Sequence, residues 1–119
     1  MGQISDLITL SHETAQSKKF WDALKEFRSE GQEKFDDEVY VSVLSQMYGN
    51  RLMHVVRELG EAWEEFRVNG HTKDFDEELA DSAIVLFDLC GAMGVDLEKS
   101  ILKKMKKNED RPDKHGKRF

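Results

Sequence analysis

Apolar residues recur every three or four positions along most of the chain, which is the spacing of one face of an α-helix. The longest such stripe lies between residues 38 and 68 and comprises Leu44, Tyr48, Leu52, Val55, Leu59, Ala62 and Phe66, widened by Met47, Val56 and Trp63. No segment shows the strict alternation of a half-buried strand. The pattern therefore predicts an all-α fold.

Four main helices follow from the stripes and from the residues that end helices. We predict them at residues 5–17, 38–68, 75–93 and 97–108. Gly70 and Gly94 can adopt the positive φ of a helix end, Asp96 can cap the last helix, and Pro112 closes it. Four antiparallel helices joined by short loops indicate a four-helix bundle.

One segment is harder to assign. Residues 18–38 could hold a short helix around 21–27, with Gly31 as a break. In the first helix we expect Leu7, Ile8, Leu10 and Ala15 to be buried. At 119 residues the chain is long enough for one core, so we expect a single domain of residues 1–119, with 109–119 as a basic C-terminal arm.

Charge is unevenly distributed along the chain. The net charge is −6, yet residues 99–119 hold nine basic and three acidic residues, so the first 98 residues carry −12. An acidic body is a poor profile for binding a nucleic-acid polymer. It suits a metal held by acids beside a phosphate held by lysines, although a solvated lysine-rich helix is the simpler interpretation of charge alone.

The remaining composition favours a cytoplasmic protein. Cys90 is the only cysteine, so no intrachain disulfide can form. No apolar run approaches the ~20 residues that span a bilayer, which argues against a membrane protein. We also expect no signal peptide, because MGQISDLITL has no basic start followed by an apolar stretch.

Four glutamates crowd into the segment RELGEAWEEF at residues 57–66. Glu58 and Glu61 are three positions apart and share a helix face beside the apolar stripe. Such pairs are usually the solvated edge of a helix, so this segment alone does not indicate a site.

The next helix changes that interpretation. Residues 79–95, LADSAIVLFDLCGAMGV, carry charges only at Asp81 and Asp88, and so apolar a helix should be buried on most of its circumference. Burying an ionised carboxylate costs several kcal/mol unless a cation or hydrogen bonds compensate, so we expect Asp81 to have a partner. Glu78 lies three residues before Asp81 on the same face.

Two helices thus each offer an acidic pair, Glu58 with Glu61 and Glu78 with Asp81, on either side of a turn near Gly70. A helical hairpin would bring the pairs face to face, where a divalent cation would neutralise them. Oxygen ligands alone select Mg²⁺, with Mn²⁺ as a possible substitute. Asp88 is seven residues after Asp81 on nearly the same face, so it either touches this site or binds a neighbouring group.

Other metal sites do not fit the sequence. A ferritin-like di-iron site needs Glu-x-x-His on two helices. The residues three before the four histidines are Thr9, Arg51, Val68 and Pro112. An EF-hand loop is absent, and one cysteine with scattered histidines disfavours zinc.

These motifs resemble those of the MazG-like all-α nucleoside triphosphate pyrophosphohydrolases. The resemblance rests on E-x-x-E followed by E-x-x-D, within ELGEA at 58–62 and EELADSAIVL at 77–86, and on MGVDLEKS at 93–100 and KMKKNEDRPDKHGKRF at 104–119. It covers residues 50–119 well. The early helix followed by Phe20, Trp21 and Asp22 also resembles the family's N-terminal part.

The resemblance implies hydrolysis of a nucleoside triphosphate, often a deoxynucleotide, to the monophosphate and pyrophosphate. By position, Glu58, Glu61, Glu78 and Asp81 would be the catalytic magnesium ligands. Contacts to phosphate or sugar would come from Lys104, Asn108 and Arg111. Chains of this length in the family assemble, which implies a homodimer or homotetramer, and the wide apolar faces agree with assembly.

The connection between the first helix and the metal helix, KEFRSEGQEKFDDEVYVSVLSQMYGN at residues 25–50, departs from the family. It is longer or more divergent, and the Pro-Arg-Asn that often follows the aromatic pair is absent. Phe20 and Trp21 could stack on a base, with Trp21 a candidate substrate-binding residue, or belong to the core. The roles of His54 and His115 stay open, because His54 could orient a ligand carboxylate or bond locally, and His115 could cover the phosphates.

Two further hypotheses compete with the enzyme. The chain could be a non-catalytic helical interaction module whose acidic pairs are surface charge, in which case Asp81 is exposed and Mg²⁺ leaves stability unchanged. It could also be a nucleotide-sensing relative that binds without hydrolysis. An enzyme should be stabilised by Mg²⁺, since an ion that binds only the folded state raises its stability.

Overall fold

The computed structural model describes residues 2–112, and these residues form five α-helices and no strand. The helices are α1 (Gln3–Ser17), α2 (Asp22–Lys34), α3 (Asp37–Asn69), α4 (Lys73–Met93) and α5 (Leu97–Glu109). The all-α prediction is confirmed, and the four main helices begin and end within about two residues of their predicted limits. Most of the predicted basic arm, 113–119, lies outside the described residues.

The short helix expected around 21–27 is present within α2, but the predicted break at Gly31 was wrong. Instead of stopping near 27, α2 continues through Gly31 to Lys34. Gly31 is buried, and a Cβ placed there would lie 3.0 Å from Cε1 of Phe27. The glycine therefore permits close packing with the Phe27 ring rather than breaking the helix.

Polar caps and glycines set the ends of the other helices. Asp36, Thr72 and Asp96 each accept a hydrogen bond from the backbone N–H three residues later, at 2.9–3.1 Å. These bonds satisfy N–H groups that have no partner within the helix. Gly70 and Gly94 follow the last turns of α3 and α4 with φ of 74° and 69°, a left-handed region that favours glycine.

Helix α4 packs against both α1 and α3. The α3–α4 pair is an antiparallel hairpin, because Phe66 near the end of α3 lies 5.3 Å from Phe75 at the start of α4, measured between ring centroids. Helix α1 starts beside Glu98 and reaches Asp88 at His12, so it runs antiparallel to α4 along its C-terminal half.

The two remaining helices extend this three-helix unit. Helix α2 packs on α3, with the Phe27 and Tyr40 rings stacked at 5.2 Å. Helix α5 meets the start of α1, where Glu98 Oε1 accepts hydrogen bonds from the backbone N–H groups of Ile4 at 3.0 Å and Ser5 at 3.3 Å. A carboxylate at a helix N-terminus also interacts favourably with the helix dipole.

The core is small and lies between α1, α2, α3 and α4. Its buried members are Ala15, Trp21, Leu24 and Leu89, with Leu44, Met47, Tyr48 and Ala92 partly buried around them. Ile8 and Ala15 are buried as predicted, but Leu7 and Leu10 are 48% and 60% exposed. One apolar face of α1 therefore has no covering element within the described chain.

Helix α3 carries a row of exposed apolar side chains. We call it the α3 stripe, and it consists of Leu52, Val56, Leu59, Trp63 and Phe66, each 46–61% exposed. Their spacings alternate between four and three residues, the pattern of a helix–helix seam. Trp63, which widens the apolar stripe of the sequence, is exposed and therefore not in the core of the single chain. Within the described part of the chain, none of the helices has the length and apolarity needed to cross a membrane.

Candidate functional site

The α3–α4 hairpin brings the predicted carboxylates together. One carboxylate oxygen each from Glu58, Glu78 and Asp81 lie within 4.8 Å of one another. Glu61, one turn after Glu58, is exposed and lies close enough to Glu78 for its negative charge to act on that carboxyl. The hairpin thus brings Glu58 of the first predicted pair together with Glu78 and Asp81 of the second, with Glu61 near Glu78. We call these four side chains the carboxylate cluster.

Within the carboxylate cluster, Glu78 has a buried oxygen and a raised pKa. Its Oε2 atom is buried and has no hydrogen-bond partner within residues 2–112. Desolvation by burial is the largest cause that raises the pKa of the Glu78 carboxyl above its ordinary value of 4.5, and the negative charges of the other three carboxylates raise it further. A site of oxygen donors with one unpartnered buried oxygen suits a hard cation such as Mg²⁺ or Mn²⁺.

The expected environment of Asp81 was wrong. Asp81 is exposed, and the buried acid of α4 is Asp88, which is 1% exposed. The two residues are nearly in line on the helix, so rotation around the axis does not separate them. They differ in what covers them: His12, Trp21 and Arg51 all contact Asp88, whereas Asp81 is exposed beside Glu58 and Glu78.

Asp88 is held by four hydrogen bonds from three other parts of the chain. Oδ1 accepts from His12 Nδ1 at 2.9 Å and from Trp21 Nε1 at 2.8 Å. Oδ2 accepts from Arg51 Nε at 3.1 Å and Nη2 at 2.6 Å. The buried charge is thus compensated by a guanidinium that donates twice to Oδ2 and by two further N–H donors on Oδ1, which tie α1, α3 and α4 together.

Two further contacts connect Arg51 to the carboxylate cluster. Arg51 Nη1 lies 3.0 Å from His54 Nδ1, and His54 Nε2 lies 2.9 Å from Glu58 Oε1. Of the two roles left open for His54, the structure therefore shows contact with a proposed metal ligand. Asp88 does not touch the carboxylates but reaches Glu58 through these two side chains.

A pocket of about 240 Å³ opens beside this row of contacts. Its walls are formed by Phe20, Trp21, Ala23, Leu24, Met47, Asn50, Arg51, His54 and Arg57. Phe20 is 65% exposed and lies 5.6 Å from the Arg51 guanidinium carbon, whereas Trp21 is 5% exposed and bonded to Asp88. If an aromatic ring stacks on a ligand here, Phe20 is the more accessible of the two.

The predicted phosphate contacts lie on or after α5. Lys104 and Arg111 are exposed, and Asn108 is partly buried with its Oδ1 atom lacking a partner within residues 2–112. In the described chain, no hydrogen bond or ion pair joins these three residues to the carboxylate cluster. His115 lies outside the described residues.

The other two glutamates of RELGEAWEEF have local roles. Glu65 accepts hydrogen bonds from Asn69 Nδ2 at 2.9 Å and Thr72 Oγ1 at 2.8 Å, which fixes the turn of the hairpin. Glu64 is exposed and pairs with Arg67 Nη2 at 2.6 Å. Neither belongs to the carboxylate cluster.

Sequence reasoning missed Arg51 altogether. The available signal was spacing: Arg51, His54 and Glu58 follow one another at three and four residues, so they share one face of α3. A buried aspartate in an apolar helix also needs a cationic partner, and Arg51 is that partner.

Comparison with known proteins yielded no match: no family model, no curated protein and no solved structure matches this chain. What the carboxylate cluster does is therefore inferred from its own residues and geometry.

Without metal, the carboxylate cluster should make stability depend on pH. Because the pKa of Glu78 is raised in the folded state, the folded protein binds this proton more tightly than the unfolded chain. The contribution of Glu78 to the free energy of unfolding is therefore most favourable below about pH 4.5 and is lost as the pH rises through the raised folded pKa. In Glu78→Gln the free energy of unfolding should fall less over this pH range, as measured by urea unfolding at a series of acid pH values in the presence of a chelator.

Glu77→Gln is the matched control, because Glu77 is exposed on the same helix turn. It should leave the pH dependence of unfolding as in the wild type. An unchanged pH profile for Glu78→Gln would mean that the carboxylates do not interact strongly in solution.

Proposed function

We propose that the protein is a Mg²⁺-dependent nucleoside triphosphate pyrophosphohydrolase, which releases the monophosphate and pyrophosphate, with a deoxynucleotide as the favoured substrate. The observation that carries this proposal is the convergence of Glu58, Glu78 and Asp81 within 4.8 Å, with Glu61 against Glu78. The MazG-like motif order supports it, since the same four positions are the metal ligands that the resemblance implies.

The residues present fit a divalent cation and a phosphate substrate. Carboxylate oxygens are the preferred protein ligands of Mg²⁺. The buried Glu78 Oε2 accepts no hydrogen bond within the described chain, so it is available to bind a cation. When bound, Mg²⁺ can lower the pKa of water and neutralise charge on the phosphates. Lys104, Asn108 and Arg111 would then supply further phosphate or sugar contacts from the basic C-terminal segment.

A non-catalytic helical interaction module is the second candidate. The exposure of Asp81 favours it, because an exposed acid needs no cation. The raised pKa of Glu78 favours the enzyme, because surface charge would not place four carboxylates where they repel one another. A nucleotide-sensing protein shares the site and differs only in releasing no product.

The α3 stripe suggests a second copy of the chain as a partner. Five half-exposed apolar side chains at seam spacing are more than an isolated helix usually presents to water. We therefore propose a homodimer or homotetramer in which the α3 stripe is covered, and in which α1, α3, α4 and α5 form the predicted antiparallel four-helix bundle.

Activity can be tested directly in the wild-type protein. Incubation with Mg²⁺ and a panel of nucleoside and deoxynucleoside triphosphates should yield equimolar monophosphate and pyrophosphate, measured by anion-exchange chromatography. Chelator should abolish the reaction. If Mg²⁺ stabilises the protein but no nucleotide is cleaved, the sensing hypothesis replaces the enzyme; if Mg²⁺ does neither, the interaction module does.

Assembly is tested by a charge on the α3 stripe. Trp63→Lys should shift the mass measured by light scattering towards the 13.8 kDa of one chain, because a lysine cannot be buried in an apolar seam without a partner. Val68→Lys is the control, since Val68 is 60% exposed on another face of α3. A wild-type protein that is already a single chain would contradict the assembly.

A further inference from the structure

We infer that Arg51 and His54, anchored by the buried Asp88, are positioning residues that hold Glu58 in place for cation binding. The inference rests on the proposed metal site, whereas the contacts between Asp88, Arg51, His54 and Glu58 are present whether or not a metal binds. Each of these contacts restricts the next, and the direction of each hydrogen bond follows from the chemistry of its groups.

The anchor is the bidentate pair between Asp88 and Arg51. Asp88 Oδ2 accepts hydrogen bonds from Arg51 Nε at 3.1 Å and from Arg51 Nη2 at 2.6 Å, and the aspartate side chain is 1% exposed. Two bonds fix the plane of the guanidinium as well as its position. The remaining nitrogen, Nη1, is therefore aimed in a set direction along α3.

The Arg51 contact determines the tautomer of His54. A guanidinium has only donors, so the 3.0 Å contact between Arg51 Nη1 and His54 Nδ1 requires a lone pair on Nδ1. The proton of the neutral imidazole must then be on Nε2. Nε2–H points at Glu58 Oε1 at 2.9 Å, so His54 donates to the carboxylate.

This donor opposes a movement that the carboxylate cluster would otherwise favour. Glu58 shares its site with three other negative groups, and before a cation binds, repulsion would drive its flexible side chain outwards into solvent. The hydrogen bond from His54 keeps Glu58 at 15% exposure, facing Glu78 and Asp81. Cation binding then needs little rearrangement of this ligand.

The consequence for binding is tested with Mn²⁺ in calorimetry, using two substitutions at one position. His54→Leu removes the donor and should weaken Mn²⁺ binding by about tenfold, as loss of an outer-shell hydrogen bond typically does. His54→Gln keeps an N–H where Nε2 stands and should restore most of the affinity. Thermal unfolding in chelator checks that both variants fold.

The outcomes separate this inference from the proposed function. Wild-type protein that fails to bind Mn²⁺ overturns both. Wild-type protein that binds Mn²⁺, with His54→Leu binding it equally well, overturns the positioning role alone. Weak binding by both variants would also overturn it, because the N–H of glutamine would then not matter.

The tautomer is tested without any metal. In the metal-free wild type at pH 8, long-range ¹H–¹⁵N spectra of the His54 ring should show a protonated Nε2 and an unprotonated Nδ1. A ring protonated at Nδ1 would contradict the contact with Arg51, whatever the protein does with cations.

Discussion

Replacing Asp88 by asparagine is expected to lower the free energy of unfolding by about 3 to 5 kcal/mol, the cost of breaking a buried ion pair. The lower end of that range applies, because the Arg51 side chain retains 20% exposure and can recover some hydration. An amide cannot accept from both guanidinium nitrogens on Oδ2 and from His12 and Trp21 on Oδ1. Urea unfolding followed by circular dichroism, at fixed protein concentration, measures the loss.

Asp74→Asn is the matched control, since it makes the same change on the exposed first turn of α4. This control should lower the free energy of unfolding by less than about 1 kcal/mol, because it removes only the favourable interaction of a carboxylate with the helix dipole. If Asp88→Asn cost no more than this control, the four hydrogen bonds on Asp88 would not be forming in solution.

The extent of the fold was predictable because the signals for it are local. The helix limits depend on the 3.6-residue period and on residues such as Thr72, Gly70 and Asp96, all of which act within one turn. Gly31 shows where local signals fail. Whether a glycine ends a helix or admits a neighbouring ring depends on Phe27 and the packing of α2, which spacing does not reveal.

The carboxylate cluster was predictable for a different reason. Two i, i+3 pairs at similar distances from one tight turn come to the same level of an antiparallel hairpin, and they meet when both helix faces are turned towards each other. That geometry does not determine exposure. Asp81 and Asp88 have nearly the same angular position on α4, and it is the tertiary contacts of His12, Trp21 and Arg51 that accompany the burial of Asp88.

The contacts of Asp88 were beyond local pattern because they converge from distant parts of the chain. His12 lies 76 residues from Asp88 and Trp21 lies 67 residues from it. Trp21 had two interpretations, base stacking or core. It is a core residue by burial, and its indole N–H is committed to Asp88, while its ring edge still contributes to the pocket wall.

Replacing Glu61 by glutamine is expected to reduce Mg²⁺-dependent pyrophosphate release by at least about a hundredfold. Mutation of a residue that only hydrogen-bonds to a metal ligand already lowers metal affinity or activity by about 10–100-fold, and a direct ligand should matter more. The same change should raise the stability of the metal-free protein. Glu61 faces Glu78 and contributes to its raised pKa, so removing one negative charge relieves repulsion.

These opposite effects distinguish a metal ligand from a structural residue. A residue needed only for folding loses activity and stability together, whereas Glu61→Gln should lose activity, lose the stabilisation that Mg²⁺ gives the wild type, and yet unfold at a higher urea concentration in chelator. Glu64→Gln, one turn along on the exposed face, should match the wild type in activity and Mg²⁺ response. A Glu61→Gln protein as active as the wild type would show that the carboxylate cluster is not the catalytic metal site, and Asp81 would then be surface charge.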